Sequence, residues 1–274
     1  MSQGQEQNAP VGVLPREIRV VAHSSLFYWW PVWAAGLLLA GLTWLDGHRL
    51  AIVPPGTQAV EGFAGGRDAL VLPAGAHLPR DPATGKPREP TLRVAGRSGY
   101  GVVFAVVAFV VVFVTNVTVR GLWSVIAIVF VLIVSLILAL AGWWDDILEA
   151  VGHAHVYVNA LGYLAISVPL LVLWLVVVLF FDRKTYMVFS PGQLVVRQEI
   201  GSGEAAFDTL GMVVEKRRGD LFRHWLLGFG SGDLIVKTAG ATARQFEMRN
   251  VLFVGDKVHL IQQMLQTREV VRGS

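Results

Sequence analysis

The chain has 274 residues, of which 54% are hydrophobic and 16% charged, with a formal net charge of +3 and no cysteine. Composition of this kind lies outside the range of ordinary soluble domains, provides no disulfide framework and holds too little excess charge to suggest nucleic acid as a partner. What remains is an integral membrane protein, with about 20 apolar residues needed for each crossing.

Residues 1–24 are expected to form a cytoplasmic N-terminal segment. The first span is expected at 25–45, with Trp29, Trp30 and Trp33 near one end and Trp44 near the other, where amphipathic rings settle at the two headgroup levels. It is too long and begins too late for a cleavable signal sequence, and Pro31 falls in its first turns, where a missing N–H is tolerated.

A long extramembrane loop follows at 46–99. It contains Ile52-Val53-Pro54-Pro55-Gly56-Thr57 and later Leu72-Pro73-Ala74-Gly75, while Asp81 to Pro90 reads as a turn-rich linker. The two Pro-Gly segments behind a membrane helix are similar to the opening of the stomatin and prohibitin domain. That resemblance implies a membrane organiser whose loop mediates oligomerisation; the alternative is a small hairpin on the membrane surface.

From Tyr100 to Gly142 the chain is apolar apart from Arg120-Gly121, which predicts a hairpin of two spans at 100–119 and 122–142. A fourth span is expected at 156–181. None of the four carries Asp, Glu, Lys or Arg away from its ends, which argues against a pump or proton-coupled carrier. Four spans place both termini on one side. Arg16, Arg19, Arg120, Arg183 and Lys184 flank that side, whereas 143–155 has no Lys or Arg, so the cytoplasmic face of a bacterial inner membrane is expected there. The basic residues of the long loop work against this bias.

The interfacial loop 143–155 gathers Asp145, Asp146, Glu149, His153 and His155. Such side chains can hold a divalent cation, making a membrane-interface metal protein or enzyme one reading. The other is an amphipathic connector with its Trp pair in the headgroups and its acids in water, and no metal or cofactor. No grouping nominates a nucleophile, and a non-enzymatic chain is expected.

After Phe181 the apolar pattern changes to short β-branched and aromatic runs. Strands are expected at Thr185–Phe189, Leu194–Gln198, Glu204–Asp208, Met212–Arg217, Asp233–Thr238 and Arg244–Met248. Helical spacing then runs from Asp256 to Gln266, with Val258, Ile261, Met264 and Leu265 on one face.

The order Tyr186-Met187-Val188-Phe189-Ser190, then Gln193-Leu194-Val195-Val196, then Arg223-His224-Trp225-Leu226-Leu227-Gly228-Phe229-Gly230 leading into a strand resembles the bacterial pleckstrin-homology-like (PH-like) domain. The likeness covers roughly 185–267. It implies a seven-stranded half-barrel with a capping helix and no catalytic residues. The whole is therefore expected to be a membrane α-helical bundle of four transmembrane helices plus a C-terminal α+β PH-like half-barrel at 182–274. Lys216, Arg217 and Arg218, with Arg223 and His224, form the densest basic cluster. It reads either as a contact for anionic lipid headgroups or a protein partner, or as a solvated loop offset by Glu215 and Asp220. Membrane lipids, a protein partner or a second copy of the chain are the expected partners, in a scaffold or assembly role.

Overall fold

A computed structural model describes residues 17–117, 122–197, 203–217, 220, 222–240 and 243–272. In chain order it contains β1 (Ile18–Val21), a 3-10 turn (Ser25–Trp29), α1 (Trp30–Asp46), β2 (Arg49–Leu50), β3 (Gln58–Gly62), the single turn α2 (Phe63–Gly66), β4 (Arg67–Val71) and β5 (Leu92–Arg93). There follow α3 (Gly99–Asn116), α4 (Leu122–Leu140), α5 (Trp143–Gly152) and α6 (Ala160–Val176). The tail comprises β6 (Tyr186–Ser190), β7 (Gln193–Arg197), β8 (Ala205–Asp208), β9 (Val213–Arg217), a π-type turn (Phe222–Leu227), β10 (Gly232–Lys237), β11 (Gln245–Val251) and α7 (Val254–Arg272).

Among the described residues three helical stretches are long and apolar enough to cross a membrane: Ser25–Asp46, Gly99–Asn116 and Ala160–Lys184. Val125–Leu140 and Trp143–Gly152 reach that length only as one broken span, which makes up to four. Gly142 explains the break, because its φ of 74° leaves the helical region and suits a residue without Cβ. Membrane-type helices and a separate α+β part are thus both present, and the tail's sheets do not close into a barrel.

The chain divides into two compact units. The first comprises 1–31, 109–141 and 170–274. Its strands form two antiparallel sheets, ordered β1-β6-β7-β8 and β11-β10-β9. Alternation builds the core: Met187 and Phe189 of β6, and Leu194 and Val196 of β7, point inward while their neighbours stay partly exposed. β10 contributes Leu234 and Val236, and α7 adds Val254, Val258, Ile261 and Met264 at helical spacing. Each such side chain, once buried, contributes about 1.5–3 kcal/mol.

One strand of this unit lies outside the expected tail. Ile18 and Val20 of β1 belong to the same core, and β1 pairs with β6 in the register Ile18↔Phe189 to Val21↔Tyr186. The sheet needs this strand because β6 otherwise leaves a row of backbone donors and acceptors open beside a buried face. The expected division between an N-terminal segment at 1–24 and a module at 182–274 therefore joins at this sheet.

The second unit comprises 32–108 and 142–169. α1 and α6 meet at Gly36 and Ser167, where a Cβ on the glycine would overlap the serine Oγ, the close approach that small residues permit between membrane helices. Phe104 of α3 sits edge-on to Tyr163 of α6, with centroids 5.4 Å apart. At the end of α1 the Arg93 guanidinium stacks over Trp44 at 3.7 Å. In the long loop β2 pairs with β5, and β3 with β4, as two-stranded ladders.

Candidate functional site

The described residues of the first unit contain a buried polar cluster that the sequence reading did not anticipate. Tyr28, in the turn before α1, is fully buried, as is Ser231 ahead of β10; His224 of the π-type turn and Asn250 of β11 are nearly so. The Tyr28 hydroxyl donates to Asn250 Oδ1 at 2.9 Å and lies 3.0 Å from Ser231 Oγ and 3.3 Å from His224 Nδ1. His224 Nδ1 is also 3.0 Å from Ser231 Oγ. One proton assignment is consistent with these contacts: His224 Nδ1–H donates to Ser231, Ser231 to Tyr28, and Tyr28 to Asn250. Asn250 Nδ2 then donates to the His23 carbonyl at 2.8 Å, and its backbone N–H donates to Asp233 Oδ1 at 3.0 Å.

Local structure explains why these residues converge. Asp220 accepts the backbone N–H of Arg223 on its side chain and that of His224 on its carbonyl, which starts the π-type turn and aims His224 inward. Gly228 lets the turn close against the tyrosine, because a Cβ there would come within 2.7 Å of Tyr28 Cε1. Asn250 holds a left-handed backbone with φ of 55°, a conformation asparagine tolerates better than most residues.

Around the cluster, the chain leaving the last apolar helix is tied to the chain starting the first. His23 Nδ1 contacts Asp182 Oδ2 at 3.2 Å, the Ala22 N–H donates to the Thr185 carbonyl, and Trp174 Nε1 donates to the Phe27 carbonyl at 3.0 Å. Trp30 Nε1 donates to the Leu227 carbonyl at 3.0 Å, and its ring stacks on Phe229 with centroids 5.5 Å apart. Chemically this is a clasp. The Ser231–His224 contact is sealed from solvent, so it offers no route for a substrate.

The expected basic cluster is divided. Lys216 and Arg217 stand exposed at the end of β9, an edge strand. Arg223 is mostly buried and paired with Asp220 at 3.4 Å, while His224 is only 3% exposed and engaged as above. His224 is therefore interior and Arg223 partly buried, and neither stands with Lys216 and Arg217 on the exposed strand. Arg218 lies outside the described residues, as do Arg16 and Arg120. Glu215, next to Lys216, accepts a 2.7 Å bond from Lys237 across the sheet. That bond, and then the lysine's charge, hold the Glu215 carboxyl below its ordinary value of 4.5.

Asp145, Asp146, Glu149, His153 and His155 do not gather into a cation site. Among the described residues no group of three or more His, Cys, Asp or Glu is placed to hold a metal ion. Asp145 and Asp146 occupy the first turn of α5, where acids suit the helix dipole, and the whole helix is exposed. His153 and His155 have ring centroids 6.2 Å apart.

Comparison with protein-family models, curated proteins and solved structures finds no match.

Proposed function

We propose that the chain is a non-enzymatic scaffold of a bacterial inner membrane, anchored by four spans with both termini cytoplasmic. Its PH-like module engages anionic lipid headgroups through Lys216 and Arg217. The observation that carries this reading is the pairing of seven strands and a C-terminal helix with two exposed cations on an edge strand. What supports the module is the set of four plus three antiparallel strands with a C-terminal helix, β1 being the strand that the tail lacks. The ionic partners of Arg223, Glu215 and Lys237 leave Lys216 and Arg217 as exposed basic groups of the cluster among the described residues. Each contributes about 1 kcal/mol near an anionic surface.

The test uses the full chain in detergent, since an isolated 182–274 fragment would lack β1. Binding of short-chain phosphatidylglycerol is compared with short-chain phosphatidylcholine. Phosphatidylglycerol should bind more tightly, and the double change Lys216→Ala, Arg217→Ala should weaken it by about thirtyfold. Equal binding of the two lipids by the native chain would discard the lipid assignment.

A further inference from the structure

The turn beside the clasp exposes apolar surface that the sheets do not use. Trp225 is 79% exposed, Leu226 51% and Phe229 57%, although each is adjacent in sequence to a residue turned inward. An exposed apolar group of this size marks a contact surface rather than a folding requirement. Its position identifies what covers it. Trp30, whose ring stacks on Phe229 and whose Nε1 bonds the carbonyl of Leu227, is the first residue of α1, within the apolar stretch Ser25–Asp46. Tryptophans at the end of a span sit at the headgroup level, so a turn fastened to Trp30 lies at that level too. The clasp leaves it little freedom to withdraw, since His224, one residue before Trp225, is locked to Tyr28 and Ser231.

We propose that the turn Phe222–Leu227, together with Phe229, is a membrane-interface wedge. Trp225, Leu226 and Phe229 enter the boundary between headgroups and acyl chains, and hold the β-sheet module at a fixed depth and tilt on the bilayer. This rests on the membrane anchoring in the reading above but not on its basic strand. Insertion of this kind follows apolar area and does not need anionic lipid.

The experiment exploits the lack of cysteine in the chain. Single cysteines replace Trp225, Leu226, Phe229 and, as control, Ala243 in the full chain, reconstituted into phosphatidylcholine vesicles and labelled with a nitroxide. Ala243 sits in the turn at the far end of β10, about 20 Å along the strand from the clasp. Collisions with oxygen should exceed those with a water-soluble nickel chelate at 225, 226 and 229, with the ratio reversed several-fold at 243. Labels at all four sites equally open to the nickel chelate would overturn the proposal, and so would shielding from both reagents, which would mean a protein covering. A second readout needs no cysteine: the fluorescence lost in Trp225→Phe should be quenched by at least half in vesicles of lipid brominated near the headgroup, and no quenching would also overturn it. Because the vesicles are zwitterionic, a failed wedge leaves the phosphatidylglycerol preference intact, and a failed preference leaves the wedge intact.

Discussion

At the scale of single residues, the clasp concentrates the consequences on Tyr28. Its hydroxyl touches His224, Ser231 and Asn250 together, in a place closed to water. Tyr28→Phe keeps the ring and removes the oxygen, leaving buried partners without a shared acceptor and donor. The change should lower the stability of the sheet-containing unit by about 1–3 kcal/mol, read from denaturant unfolding in detergent. An unchanged midpoint would show that the three partners re-pair among themselves. The sequence places Tyr28 among aromatic residues suited to a headgroup belt, and nothing around it signals a polar contact. Its partners are about 200 positions away, Asn250 lying 222 positions on. His224 is misread for a related reason: basic neighbours in sequence indicate charge but not which way a turn faces, and here Asp220 turns it inward.

At the scale of elements, legibility follows whether the signal is local. β6 and β7 show period-two burial within five residues, β10 is a short apolar run buried at Leu234, Ile235 and Val236, and each lies within a residue or two of where it is expected. α7 follows from its i, i+3, i+4 apolar spacing and runs further than its apolar face suggests. β1 has four residues and no neighbouring partner, so its role is set by a sheet assembled much later in the chain. The π-type turn was hidden inside a motif that reads as the approach to a strand. Between β9 and β10 the Glu215–Lys237 pair gives the three-stranded sheet an acid-sensitive contact. The folded carboxyl titrates below its ordinary 4.5, so its stabilisation is complete above that value and is lost as pH falls through the folded value. Glu215→Gln should therefore melt slightly lower than the native chain near neutral pH, and the two melting curves should converge in acid. A gap that persists at pH 2 would assign the difference to something other than ionisation. The effect is small because both side chains are about two-fifths exposed.

At the scale of the molecule, β1 precedes the apolar helices and β6 follows them, yet the two share one ladder. Three crossings would put a bilayer between Ile18–Val21 and Tyr186–Ser190, whereas four keep them together, the number reached when the broken pair Val125–Leu140 and Trp143–Gly152 is counted as one span. Cysteines introduced at Glu17 and Ala243 should react with an impermeant maleimide from the same side of sealed vesicles, and cysteines at Gly85 and Ala154 from the other. Opposite reactivity of 17 and 243 would refute the even count. The same ladder has a consequence for biosynthesis. Arg19 reaches the carbonyl of Arg183, 164 positions downstream, so the strand Ile18–Val21 waits through every intervening helix insertion before its mate exists. A nascent chain that stalls or threads one helix wrongly presents an incomplete sheet with Ile18 and Val20 uncovered, and it is then a ready target for a membrane protease. Correct insertion and completion of this sheet are thereby a single event, checked by whether the strands on either side of the apolar helices can meet.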